Sequence, residues 1–236
     1  MTMQEPTEGV VAIVDYGLGN LFSVRNACEF VGLKTFFAST RDGIEKADAI
    51  ILPGVGAFGD AMRSLVALDL VSPLRDAAEC GRTLVGICLG AQLMMEESEE
   101  FGVHQGLGIF RGRVRRFENP VHEGRRLKVP QVGWNRIDHP PREQAQGHLD
   151  PWAGTMLENL PRGVYMYFVH SFILHPDDPE VVLSMTSYGN IRFCSSMARG
   201  NVFACQFHPE RSGVNGLRIY QNLAVHIQCA RKGNPS

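Results

Sequence analysis

Cysteine, histidine and glutamate are the side chains of nucleophilic catalysis at neutral pH, and this 236-residue chain carries them in two distant contexts. The first is Val85-Gly86-Ile87-Cys88-Leu89-Gly90-Ala91-Gln92, and the second is Gln206-Phe207-His208-Pro209-Glu210. In the first, an apolar strand from Thr83 to Ile87 runs into a Gly-x-Cys-x-Gly turn, and a helix is predicted from Ala91 to Glu96. Glycines on both sides of a nucleophile permit a strained strand-to-helix elbow. A sulfur placed there sits at a helix N-terminus, where the dipole and free N–H groups favour the thiolate. In the second, His208 and Glu210 are two apart in a strand-like run, so both side chains are expected on one face. A histidine that takes the thiol proton and a carboxylate that orients the histidine complete the requirements. The pattern predicts a triad of Cys88, His208 and Glu210.

Each member also has an ordinary structural reading. A lone cysteine beside an apolar run is usually a small buried hydrophobe. Cys28, Cys80, Cys194, Cys205 and Cys229 lack flanking glycines and are read that way. His208 alone could be a satisfied core histidine, and Glu210 a solvated loop charge. The elbow and the His-Pro-Glu run together favour catalysis.

The elements that must position these residues follow from hydrophobic patterning. Val10–Val14, Ala49–Leu52 and Thr83–Ile87 are almost wholly apolar, as buried parallel strands are, and Lys34–Ala38 fits a fourth. Leu21, Val24, Cys28 and Val31 recur at helical spacing, with Gly32 as the stop. Asp60 to Cys80 is helical in pattern, with Pro73 splitting or restarting it. Alternating strands and helices imply right-handed βαβ units around a parallel sheet. The second half reads differently: Gly163–Leu174, Val181–Tyr188, Ile191–Ala198 and Asn201–Phe207 are strand-like with short turns, which predicts antiparallel additions. Leu217, Tyr220, Leu223, Ala224 and Ile227 mark a closing amphipathic helix. The fold class is α/β, a mixed and mainly parallel flavodoxin-like sheet sandwiched by helices. Ligands bind at the carboxyl ends of strands in such sheets. Met197 to Val202 reads as a tight hairpin with Arg199-Gly200 as its loop, pairing Ala198 with Asn201, Met197 with Val202 and Cys194 with Cys205.

A 44% apolar content and formal charge of −2 suit one globular enzyme domain, expected over residues 10–230 with flexible ends at 1–9 and 231–236. The charge leaves no footprint for nucleic acid or an anionic membrane. No apolar run approaches the roughly 20 residues of a membrane span, and the start lacks signal-peptide character. Six cysteines without close paired spacings indicate a reducing, cytoplasmic setting. Scattered histidines and the lack of a Cys-x-x-Cys argue against metal. Asp15-Tyr16-Gly17-Leu18-Gly19-Asn20 opens a helix after a strand, but Phe22 stands where the dinucleotide fingerprint needs its third glycine. No cofactor is expected.

Gly-x-Cys-x-Gly-x-Gln with a distant His-Pro-Glu resembles the class I, triad-type glutamine amidotransferases. Asp15 to Asn20, Pro53-Gly54-Val55-Gly56, Pro130-Gln131-Val132-Gly133-Trp134-Asn135 and Tyr167-Phe168-Val169-His170-Ser171 narrow the resemblance to glutaminase subunits of imidazole glycerol phosphate synthases. It covers about Val11 to Ile227, with Gln131 where the family more often has His. The resemblance implies hydrolysis of glutamine at Cys88. It also implies that Gly56, Gln92, Ser171 and Phe172 hold the substrate, and that a (β/α)8-barrel cyclase subunit receives the ammonia as the heterodimer partner. Asn20, Trp134, Asn135 and Tyr167 would lie towards that partner. Pro53 to Gly56 is either a flexible turn or an oxyanion loop in which the Val55 and Leu89 N–H groups converge on the tetrahedral intermediate, each donor being worth on the order of 3 kcal/mol. Glycines beside Val55 would let its peptide rotate, so the hole need not be preformed. Three other readings stand beside this one: a related subunit serving another synthase, such as one modifying a surface sugar; a non-catalytic interaction module; and a stand-alone cysteine hydrolase acting on peptides.

Overall fold

The structure, a computed structural model, describes residues 9–141 and 150–233. Residues 1–8 of the expected arm and 234–236 of the expected tail lie outside these. The first half runs β1 (Val10–Val14), α1 (Leu21–Phe30), β2 (Lys34–Ala38), α2 (Arg41–Glu45), β3 (Ala49–Leu52), α3 (Phe58–Ala67), α4 (Val71–Glu79), β4 (Thr83–Ile87) and α5 (Leu89–Leu93). The strands β5 (Met95–Ser98), β6 (His104–Gln105), β7 (Phe110–Arg116), β8 (Val121–His122), β9 (Arg125–Arg126) and β10 (Gln131–Ile137) follow. The chain ends with β11 (Val164–His170), β12 (Phe172–Pro176), β13 (Val182–Tyr188), β14 (Ile191–Arg199), β15 (Val202–Cys205) and α6 (Gly213–Gly233). A one-turn 3₁₀ helix at Pro209–Arg211 joins β15 to α6.

Among the described residues the main sheet has the order β2-β1-β3-β4-β15-β14-β12-β7-β5-β6, with β13 on β14. Its first five strands are parallel, as the apolar runs of β1, β3 and β4 predict; β15, expected with the antiparallel additions, instead pairs parallel with β4 and antiparallel with β14. β14, β12 and β7 are the antiparallel additions. One apolar layer holds Val11, Ile13, Ile51, Val85 and Ile87; the other holds Ala12, Val14, Ile50, Leu52 and Leu84. Alternate residues of each strand therefore face opposite layers, and the sheet is buried on both sides. β10 and β11 form a separate two-stranded ribbon.

Several expectations need correction. The helix read over Ala91 to Glu96 stops at Leu93, and Glu96 lies in β5. The cause is capture of helix-end carbonyls: Leu107 N donates to Leu93 O, Phe110 N to Met94 O and Gly108 N to Met95 O. The helical run over Asp60 to Cys80 is two helices parted at Leu68–Leu70, where Asp69 takes φ 52°. Pro73 sits in the first turn of α4, where its missing N–H costs nothing, so it restarts the helix. The long strand over Gly163–Leu174 breaks at Ser171, with β11 joining the ribbon and β12 the main sheet. α6 continues to Gly233, past the expected boundary at 230.

The hairpin register also differs. Arg199 pairs with Val202, so Gly200-Asn201 is the loop and Cys205 lies opposite Ser196. β14 then bulges: Ser184 pairs with Ser196 but Met185 with Cys194, leaving Ser195 extra. The bulge turns Cys194 to the layer of Met197 and Ala204 while Cys205 faces the other layer, so the two thiols are not neighbours. His208 and Glu210 are not on a strand, because β15 ends at Cys205 and the pair belongs to the 3₁₀ turn.

Gly90 packs onto the Leu52 carbonyl at the end of β3, and a Cβ there would overlap it. Gly90→Ala should lower stability by about 1–3 kcal/mol and reduce catalysis through the displaced elbow. Denaturant unfolding of the variant beside the unsubstituted protein, read as a shift in the midpoint, checks the loss.

Candidate active site

β4 is buried throughout between β3 and β15, and its ladder continues one residue further, with Cys88 N donating to Cys205 O at 2.8 Å. Cys88 then takes φ 54° and ψ −109°, a conformation costing a non-glycine residue about 1–3 kcal/mol. α5 begins at the next residue, and Gln92 N donates back to Cys88 O at 3.1 Å. The flanking glycines contribute space rather than unusual dihedrals. A Cβ on Gly86 would lie 2.9 Å from Ala91 Cα, and one on Gly90 would meet Leu52 O. The strain is carried by Cys88 itself.

The 3₁₀ turn carrying His208 is fixed from three sides. His208 N donates to Tyr167 O at 2.8 Å. Tyr167 N donates to Ser212 Oγ at 3.0 Å, and that hydroxyl donates to His208 O at 2.7 Å. Pro209 sets the start of the turn and brings Glu210 back onto the ring, with His208 Nδ1 donating to Glu210 Oε1 at 2.8 Å. Their side chains are only 8% and 2% exposed, which leaves Nε2 for the thiol. Burial pushes the His208 pKa down, but the charge and hydrogen bond of Cys88 and then those of Glu210 outweigh it, raising it to about 10. The arrangement favours the protonated form of the His208 ring.

A cavity of about 270 Å³ opens over the sulfur. Val55, Gly56, Leu89, Gln92, Ser171 and Phe172, all expected at a substrate site, line it, and Asn20 reaches it too. Asn20 also caps α1, its Oδ1 accepting from Ser23 N at 3.3 Å. Tyr16 pins the Val55 loop by donating to Pro53 O at 2.8 Å, and Val55 itself is 47% exposed. Gln92 is an internal strut, with Nε2 donating to Phe172 O at 3.2 Å and Gln206 Oε1 at 3.1 Å. Sequence reasoning missed four contributors. Val169 O lies 3.7 Å from Cys88 Sγ. Glu100 accepts Phe58 N at 2.6 Å, capping α3 at the cavity wall. His170, donating from Nδ1 to Phe172 O at 2.8 Å, is driven by burial to a pKa of about 4 and stays neutral. The fourth is Gln206, whose Nε2 lies 3.8 Å from the sulfur. Val169 and His170 had a signal in the Tyr167–Ser171 motif and Gln206 in its place beside the His-Pro-Glu run, whereas Glu100 had none.

Trp134, Asn135 and Tyr167 stand on the ribbon rather than in the cavity. Trp134 is 56% exposed and meets Tyr167 edge to face at 6.0 Å between ring centres. Asn135 turns to donate to Ser187 O at 2.9 Å. Arg211, next to Glu210, lies 4.6 Å from the centre of the Tyr167 ring. Among the described residues no group of His, Cys, Asp or Glu is placed to hold a metal, and no helix is long and apolar enough to cross a membrane.

Known proteins resemble this chain in sequence and in fold. The family model for class-I glutamine amidotransferases matches residues 13–227. Imidazole glycerol phosphate synthase subunit HisH of Syntrophotalea carbinolica is 45% identical over 215 residues, 91% of this chain and 98% of that protein. The subunit of the same name from Thermosynechococcus vestitus is 40% identical over 218 residues, 92% of this chain and 97% of that one. In fold, the structure of PurLQS from Thermotoga maritima aligns with a TM-score of 0.67 at 18% identity, covering 93% of this chain and 99% of that one. The chain therefore belongs to the class-I glutamine amidotransferases, and among them to the HisH subunits of imidazole glycerol phosphate synthase.

The raised His208 pKa has two consequences. The folded state binds this proton more tightly than an unfolded chain, where the value is 6.5. The associated stability is present in full below about pH 6.5 and lost as pH rises through about 10. In Cys88→Ser the thiolate charge is gone and burial dominates, so the His208 midpoint read by NMR should fall by at least about one unit. A midpoint unmoved by that substitution would contradict the pairing.

Proposed function

We propose that Cys88, His208 and Glu210 hydrolyse glutamine to glutamate and ammonia, and that the ammonia passes to a cyclase partner in histidine biosynthesis. The observation that carries the reading is the elbow cysteine facing a buried histidine oriented by Glu210. The thiolate attacks the side-chain amide carbon, and the Val55 and Leu89 N–H groups receive the developing oxyanion. His208 gives its proton to the departing ammonia, then takes one from the water that cleaves the γ-glutamyl thioester. Gly56 and the backbone at Ser171 and Phe172 hold the substrate's α-carboxylate and α-amino groups, with Gln92 bracing that wall. Residues 10–230 act as one amidotransferase domain.

Ammonia released to water is protonated and lost as a nucleophile, so the chemistry calls for a partner that closes the cavity. A (β/α)8-barrel cyclase subunit docked over Asn20, Trp134, Asn135 and Tyr167 would do this as a heterodimer. Such a barrel would use the ammonia to form imidazole glycerol phosphate and AICAR. Free cysteines and a biosynthetic family support a cytoplasmic setting for the pair.

Cys88→Ala should abolish glutamine-dependent synthesis by the complex and spare synthesis from ammonium salts, because only ammonia generation needs the thiolate. Glu210→Gln should lose less, since the carboxylate orients the ring without carrying the proton. Normal glutaminase turnover in Cys88→Ala would overturn the assignment.

The Val55 loop generates a separate expectation. If its peptide rotates only when partner and acceptor substrate are bound, the isolated chain should hydrolyse glutamine poorly and be stimulated by about 10²–10³-fold in the complex. Val55→Pro deletes the donor and should remove most of that stimulation while leaving the affinity for the partner, measured by calorimetry, near normal. Full activity of the isolated chain would show that the hole is already formed.

A further inference from the structure

Gln206 lies between β15 and the His208 turn, wholly buried, with its backbone N–H donating to Ser195 O at 2.9 Å. Its side-chain amide sits in a row whose polarity is fixed from one end. The Phe172 carbonyl can only accept, so it turns the Gln92 amide nitrogen towards itself at 3.2 Å. The second hydrogen of that nitrogen reaches Gln206 Oε1 at 3.1 Å. With its oxygen committed to Gln92, Gln206 must present its own amide hydrogens to Cys88 Sγ, 3.8 Å away. The sulfur therefore has two backbone or amide neighbours of opposite sense. Val169 O, at 3.7 Å, accepts from the neutral thiol and repels the thiolate. The Gln206 N–H does the reverse.

We propose that Gln206 is a further catalytic residue, whose amide N–H holds and stabilises the Cys88 thiolate, and that Gln92 fixes the direction of that donor. The titratable and charged groups facing the sulfur come from several elements. His208, oriented by Glu210, comes from the 3₁₀ turn, and Tyr16 from the loop after β1. Cys205 comes from β15, and His170, Glu100 and Arg211 stand around the cavity. His208 supplies the proton chemistry. Gln206 supplies a donor that never titrates, so its contribution persists through the reaction while the histidine changes charge. The thiolate is regenerated when the thioester is hydrolysed, and the same N–H receives it.

The inference rests on Cys88 as the nucleophile, and the test separates the two ideas. Alkylation of full-length protein by iodoacetamide across pH, followed on the Cys88 peptide by mass spectrometry, reads thiolate formation without needing turnover. The exposed thiols of Cys80 and Cys229 serve as internal references. In Gln206→Leu the Cys88 midpoint should rise by about one unit, a tenfold slower alkylation at a fixed pH below the midpoint. The glutaminase kcat should fall with little change in KM. Gln206→Glu keeps the shape but puts a carboxyl against the sulfur, and should raise the midpoint at least as far. It also stands in should the leucine variant fail to fold. Gln92→Leu frees the Gln206 amide to turn over and should shift the midpoint in the same direction by less. A Cys88 midpoint unchanged in the Gln206 variants that fold would overturn the proposal. Failure of the nucleophile assignment would show itself differently, as glutaminase activity surviving in Cys88→Ala.

Discussion

At Cys88 the chain must leave a buried central strand and start a helix within one residue, and it does so by holding a non-glycine side chain at φ 54°. Such a turn persists only where its surroundings over-determine it. Here the Cys88 N–H is tied to Cys205 O, and its carbonyl to Gln92 N. Two glycines let α5 press against β3 and β4 without a Cβ between them. If either glycine carried a side chain, α5 would lift from the sheet and the sulfur would leave the space between Val55 and His208. The parallel core thus serves the site by making one unfavourable residue conformation compulsory.

The second dependence runs through β11. Tyr167 O accepts from His208 N and Tyr167 N donates to Ser212, while Val169 O faces the Cys88 sulfur. One strand therefore touches both the His208 turn and the Cys88 sulfur. The same strand pairs with β10, whose Trp134 is exposed and packs on Tyr167. Beyond Tyr167 lies Arg211, adjacent in sequence to Glu210. A partner seated on the ribbon would press on a strand hydrogen-bonded directly to the catalytic turn. No long pathway is needed for binding outside to be felt at Cys88.

Much of this was legible in the residues. Three of the four parallel strands of the first half, β1, β3 and β4, are continuous apolar runs, and their bounds follow from composition because both faces of each are buried, whereas β2 at the sheet edge is only partly buried. Cys88 is marked by its glycines, and His208 and Glu210 by their spacing, although the geometry behind that spacing is a 3₁₀ turn and not a strand. Register was less accessible. Nothing local announces the extra residue at Ser195, because a bulge is chosen by what β12, β13 and β15 need on either side of β14. The break at Ser171 was hidden for a related reason: β11 and β12 are both strand-like, and only the assembled sheets show that they part company there. Glu100 escaped notice because a lone Glu carries no pattern, and Gln206 because its place beside the His-Pro-Glu run does not say what its amide faces. Their roles are set by atoms more than forty residues away in the chain.

The account stands most directly on covalent chemistry at one sulfur. Mixing the partner-activated protein with glutamine, quenching in acid during turnover and mapping the peptides by mass tests it in a single measurement. The γ-glutamyl adduct is predicted on the peptide containing Cys88 and on no other cysteine peptide. Turnover of glutamine with no adduct at Cys88, or with the adduct on Cys80 or Cys229, would contradict it.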